Sequence, residues 1–147
     1  YFAGGWGLDL FAGTGGLGIE ALSRGFERVV FIDQDRAALR TIKKNLDLTN
    51  LTERAEVYRT DAVNALYVLH RRRLQFDTIF LDPPYAQKKE LIHVLRRISE
   101  YTTLAPTGVI VVEHAANLSL PEHVMNFLKD RTKSYGDVHI TLFHPSQ

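Results

Sequence analysis

Short runs of β-branched and apolar residues alternate along the chain with longer stretches in which apolar residues recur every three or four positions. The first pattern fits strands buried on both faces, the second helices that lay one face on a sheet. Trp6 to Leu10 predicts a first strand, followed by glycines and a helix from about Leu17 to Ser23. Val29 to Ile32 predicts a second strand, closed by Asp33. Asp35 is placed to cap the next helix, in which Leu39, Ile42 and Leu46 share a face. Glu56 to Arg59 reads as a weaker third strand, and Ala62, Leu66 and Leu69 mark the helix after it. Phe76 to Leu81 is a fourth strand that runs into Asp82-Pro83-Pro84-Tyr85, and Leu91, Leu95 and Ile98 carry a helix to about Thr102. Gly108 opens a fifth strand, Val109 to Glu113. Pro121 suits the first turn of a short helix. Val138, Ile140 and Leu142 alternate as a last strand, joined through Gly136-Asp137 to a partner at about Leu128 to Tyr135.

Five strand–helix units and a terminal hairpin predict an α/β fold: a Rossmann-like, doubly wound, mostly parallel seven-stranded sheet with a C-terminal antiparallel hairpin. No repeat or Pro/Ser-rich linker divides the chain, so residues 1–147 read as one domain. Ligands of such sheets bind outside the carboxyl ends of the strands, at the point where strand order reverses. That rule puts Gly13–Gly18, Asp33–Asp35, Thr60–Ala62, Asp82–Lys89 and Glu113–Asn117 on the site edge. Arg71-Arg72-Arg73 falls on the opposite edge, where basic residues suit the end of a helix.

Composition narrows the chemistry. The absence of cysteine removes disulfides, thiolate metal sites and cysteine nucleophiles. The histidines have no metal-ligand spacing, so no metal is expected, and the longest apolar runs are strand-length, far short of the ~20 residues of a membrane helix. Lys+Arg 18 against Asp+Glu 17 leaves +1, so affinity for nucleic acid must come from a local patch. Lys88 and Lys89, on the site edge, are candidates for phosphate contacts.

Between the first strand and helix stands Asp9-Leu-Phe-Ala-Gly13-Thr-Gly15-Gly16-Leu-Gly18. Such glycines allow a tight turn, close approach of a ligand, and packing of helix on sheet. Ile19 occupies the place of the lysine that a Walker-type phosphate loop requires. Asp33, 20 residues after Gly13, is placed to accept hydrogen bonds from both hydroxyls of a ribose. These features fit NAD and S-adenosylmethionine alike. Asp9 favours the second, because a carboxylate there repels a pyrophosphate and attracts a cationic methionine moiety. Asp61 is placed to reach an adenine amino group, to cap the following helix, or both.

Asp82-Pro83-Pro84-Tyr85 is the most specific signal. Two prolines fix φ and remove two N–H donors, so the turn presents carbonyl oxygens and a carboxylate. Acceptors on both N–H groups of an exocyclic amine favour the pyramidal form that can attack a methyl group, and an aromatic face holds a base out of its stack.

Taken in order, these motifs resemble the class I S-adenosylmethionine-dependent methyltransferases that modify exocyclic amines. More closely, Asp9–Gly18 with Glu20 to Gly25, Asn45-Leu46, Asp61-Ala62, Phe76 to Tyr85 and Val111-Val-Glu113 resemble the RsmD family. The resemblance implies a cytoplasmic enzyme that methylates guanine N2 in bacterial 16S rRNA, acting on the RNA or the small-subunit particle. It assigns S-adenosyl-L-methionine to Asp9, Gly13, Gly15, Asp33, Asp61 and Ala62, and the target amine to Asp82, Pro83, Pro84 and Tyr85. It also implies a basic, RNA-contacting segment ahead of Tyr1. The rival expectations are an adenine-N6 DNA methyltransferase, which would call for an inserted recognition domain, and a non-catalytic nucleotide-binding module that assists ribosome assembly.

Overall fold

The computed structural model describes residues 4–83 and 88–146. Its elements are β1 (Trp6–Asp9), α1 (Gly16–Ser23), β2 (Arg28–Asp33), α2 (Arg36–Leu48), β3 (Ala55–Arg59), α3 (Ala62–Arg71), β4 (Phe76–Leu81), α4 (Lys88–Glu100), β5 (Leu104–Ala115), β6 (His123–Val124), β7 (Phe127–Tyr135) and β8 (Val138–Pro145). The strands form one sheet in the order β3-β2-β1-β4-β5-β8-β7-β6. β3, β2, β1, β4 and β5 are mutually parallel, and β8, β7 and β6 continue the sheet antiparallel. This is the doubly wound, mostly parallel architecture predicted from the alternation of patterns.

Each face of the sheet carries its own core. Leu8, Val30, Ile79 and Ile110 pack against Leu66 of α3 and Leu95 of α4 on one face. Val29, Phe31 and Phe80 pack with Leu22 of α1 and Ile42 of α2 on the other. Central strands covered on both sides explain the continuous apolar runs of β2 and β4. Strand order reverses between β1 and β4, so the carboxyl ends of these two strands flank the crevice where such folds bind ligands.

Two expectations are corrected. The short helix predicted at Pro121 does not form. Leu120 and Val124 are buried, and Val124 pairs with Phe127, so the segment enters the sheet as β6. Met125, at a φ of 53°, makes the tight turn between β6 and β7. The sheet consequently has eight strands rather than seven. The predicted hairpin is present, with Gly136 at a φ of 63° between β7 and β8.

Candidate active site

The chain leaves β1 through a loop that stays attached to the sheet. Leu10 N–H donates to the Phe80 carbonyl at 3.2 Å and Ala12 N–H to the Ile32 carbonyl at 2.9 Å. Gly13 and Gly15 then take φ values of 57° and 83°, a left-handed region that side chains disfavour, and Gly15 caps α1. Gly18 serves packing instead: a Cβ there would lie 2.3 Å from the Phe31 ring. A clamp that sequence reasoning missed holds the loop from α2, where Asn45 Nδ2 donates to the Thr14 carbonyl at 3.1 Å. Its signal was a residue of poor helix propensity inside an otherwise regular helix.

Asp33 ends β2 beside this loop. One carboxylate oxygen accepts the Gly13 N–H at 2.9 Å and the other the Asp35 N–H at 2.9 Å. Each oxygen keeps a further lone pair for a ligand. Asp35 caps α2 by accepting the Ala37 N–H at 3.1 Å. Asp61 caps α3 by accepting the Asn64 N–H at 2.8 Å, so the capping role is present, and its side chain stays exposed at the rim.

Strand register arranges four acids in two tiers. Asp9 lies opposite Phe31 on β2 and Phe80 on β4, and Phe80 lies opposite Val111 on β5. Side chains two residues further on return to the same face. Asp33, Asp82 and Glu113 therefore form the tier above, at the carboxyl ends of β2, β4 and β5. Asp9, in the lower tier, is 1% exposed and neither of its oxygens has a hydrogen-bond partner among the described residues. Burial pushes its carboxyl up to about 7; the Gly18 amide opposes this, short of a formed hydrogen bond, and the Asp82 and Asp33 carboxylates add to it. A buried carboxylate without a donor is costly, and a cationic ligand in the loop above would relieve it.

Upper-tier Glu113 is partly buried and neighbours the exposed Asp82, since Leu81 pairs with Val112. Burial raises its carboxyl above the usual range, and the bond to Asp82 and its charge raise it further. Neighbouring His114 belongs to the scaffold: Nε2 is 2.7 Å from Thr141 Oγ1 on β8, and burial holds its pKa down.

A cavity of about 410 Å³ opens over this edge, walled by Phe11, Asp33, Thr60, Ala62, Pro83 and Val94. It therefore joins members of the two sets, Asp33 and Ala62 with Pro83. Asp61 lines an adjoining cavity of about 700 Å³ that shares Phe11, Ala62 and Val94 and reaches Lys89 and Arg96. Pro84 and Tyr85 lie outside the described residues. Arg72, by contrast, is bound to Glu56 at 2.9 Å on the far edge. No described helix is long and apolar enough to cross a membrane, and no metal-binding cluster occurs among the described residues.

This donor set fits S-adenosylmethionine: a carboxylate for a ribose, a narrow glycine turn, and a buried carboxylate lacking a cation. Comparisons with known proteins lead to methyltransferases. Residues 1–144 match the family model described as "Conserved hypothetical protein 95". The chain is 49% identical over 143 residues to the "Putative rRNA methyltransferase YlbH" of Bacillus subtilis, covering 97% of this chain and 77% of that protein. It is 35% identical over 128 residues to the ribosomal RNA small subunit methyltransferase D of Haemophilus influenzae, covering 85% of this chain and 65% of that one. Among solved structures, a conserved hypothetical protein of Streptococcus pyogenes superposes with a TM-score of 0.91 at 33% identity, covering all of this chain and 89% of the other.

Proposed function

We propose that this chain, which belongs to the RsmD-type family of rRNA methyltransferases, transfers a methyl group from S-adenosyl-L-methionine to the exocyclic N2 of a guanine in small-subunit (16S) rRNA. The reading rests on one observation above all: Asp33, Ala62 and Pro83 wall a single cavity, with Asp82 beside it and unpartnered Asp9 beneath. Two relatives named for rRNA methylation support the class of substrate.

In this reading Asp33 accepts from the ribose hydroxyls while holding Gly13 and Asp35, so the loop and the cofactor are positioned by one carboxylate. Gly13, where a Cβ would meet nothing, leaves room for close approach, Gly15 turns the chain into α1, and Asp9 balances positive charge at the methionine end. Asp61 and Ala62 flank the adenine. S-Adenosylmethionine, when bound, supplies an electrophilic methyl on a sulfonium. Asp82 and the Pro83 carbonyl accept the two amine hydrogens of the flipped base, which frees the nitrogen lone pair for attack. Pro84 and Tyr85 are the remaining members of the target-amine set, with Tyr85 the proposed aromatic partner of the base. Orientation of amine against methyl supplies most of the rate.

The test is transfer of labelled methyl to small-subunit particles lacking the modification, followed by digestion to nucleosides. Label in N2-methylguanosine is expected. Label in N6-methyladenosine, or transfer to DNA instead, would move the enzyme to another substrate class, and no transfer would leave a binding module.

A further inference from the structure

Asp82 does not stand alone at the place where the target amine is held. Leu81 on β4 pairs with Val112 on β5, so Asp82 and Glu113 follow at the same level on adjacent parallel strands. Their side chains share the face that carries Asp9, so the two carboxyl groups are neighbours across the β4–β5 pair. A structural role for Glu113 would call for a cation or a set of N–H donors, yet among the described residues the group that acts on its side chain is a second acid. Two adjacent acceptors fit a ligand that offers two adjacent donors.

A guanine offers that pair on its Watson–Crick edge, N1–H beside the N2 amine. Adenine offers an amine beside an acceptor, N1, which faces a carboxylate unfavourably. We propose that Glu113 is the specificity-determining residue of the target site, its carboxylate accepting the guanine N1–H while Asp82 accepts from N2. This rests on the guanine-N2 reading above and assigns within it how guanine is told from adenine. A base with two donors lies between the two carboxyl groups and offsets their mutual repulsion. Glu113 acts on base capture: it is not among the residues that line the cofactor cavity, although Pro83 is.

The experiment uses unmodified small-subunit particles, with the methylated guanine mapped first and then replaced by 2-aminopurine in a reconstituted particle. 2-Aminopurine keeps the amine but presents an acceptor at N1. Wild type should prefer guanine by roughly ten- to hundredfold in kcat/KM, as a good base-edge contact does. Glu113→Ala should lose most of that preference, mainly through a higher KM for guanine particles. Glu113→Gln should restore guanine activity in part, because its amide oxygen accepts N1–H, and should gain on 2-aminopurine, because its amide nitrogen donates. Affinity for S-adenosylhomocysteine should be unchanged in both variants. Equal guanine preference in wild type and Glu113→Ala overturns the assignment, as does a joint loss of cofactor affinity and thermal stability, which marks a structural role. A wild-type product other than N2-methylguanosine overturns the guanine reading itself and is recognised separately, before any variant is compared.

Discussion

A single buried carboxyl sets a conflict between stability and binding. Asp9 has an ordinary value of 3.8 and a folded value of about 7. Between them the native state holds a proton that the unfolded chain has released, so stability falls as pH rises through that window and stays lower above it. The magnitude is bounded by roughly 4 kcal/mol, at ~1.4 kcal/mol for each unit. Asp9→Asn removes the penalty: it should raise Tm at about pH 8, with an advantage that fades toward about pH 4. The same change should weaken S-adenosylmethionine binding, since in the proposed reading the charge that balances the methionine end is gone. Differential scanning calorimetry and titration calorimetry on the same variant check both signs. A lower Tm at about pH 8 would mark Asp9 as part of the scaffold.

Asp33 and Asp82 should separate binding from chemistry. Asp33→Ala removes charge-assisted hydrogen bonds worth ~1.5–3 kcal/mol, roughly ten- to hundredfold in cofactor affinity. It also frees the Gly13 and Asp35 amides, so the larger figure is expected. Asp82→Ala should cut kcat by ~10²–10³ and leave cofactor affinity nearly unchanged, because the proposed contact strengthens as the amine becomes pyramidal. Asp82→Asn should fall between. The reverse pattern in calorimetry and single-turnover rates would exchange the two ends of the site. Both acids were legible in the sequence, because each follows an apolar run at a strand's carboxyl end. The partnership of Asp82 with Glu113 was not, since it depends on the register of β4 against β5, which residues 31 positions apart do not announce.

Among the elements, α1 meets the sheet through Gly18 rather than through a side chain. The Phe31 ring fills the space that a Cβ would need, and Phe31 is 0% exposed, so it has nowhere to move. Gly18→Ala therefore pushes α1 off β2, with a cost of about 1–3 kcal/mol or more, as overpacking of a filled core gives. Urea denaturation should show a lower midpoint at unchanged slope, and cofactor affinity should fall with it, because α1 carries the loop of Gly13 and Gly15. Gly13→Ala is the contrast: a Cβ there meets nothing within 4 Å, so its cost comes from backbone conformation alone. The glycine spacing announced this packing role. Pro121 misled because proline reports only local backbone preference. Leu120 and Val124 satisfy a helical spacing of four, but burial beside Phe127 and pairing with β7 decide in favour of a strand.

At the scale of the whole molecule, charge is placed rather than accumulated. A net charge of +1 gives no general pull on RNA, so the position of each cation decides its use. Lys88 and Lys89 open α4, both are exposed, and Lys89 lines the larger of the two adjoining cavities. Arg71, Arg72 and Arg73 end α3 at the other edge of the sheet, with Arg72 already bound to Glu56. A phosphate strand led to the target site meets the lysines and misses the arginines. Each phosphate neutralised contributes about 0.7 to the slope of log affinity against log salt for single-stranded RNA. Replacing Lys88 and Lys89 together by alanine should flatten that slope by about 1.4. Replacing Arg71 and Arg73 should leave it unchanged, although the two pairs carry equal charge. Fluorescence anisotropy with a labelled single-stranded RNA across a salt series reads both. Equal flattening by the two pairs would mean that net charge alone governs the encounter, and a steeper loss from the arginines would move the RNA path to the far edge of the sheet.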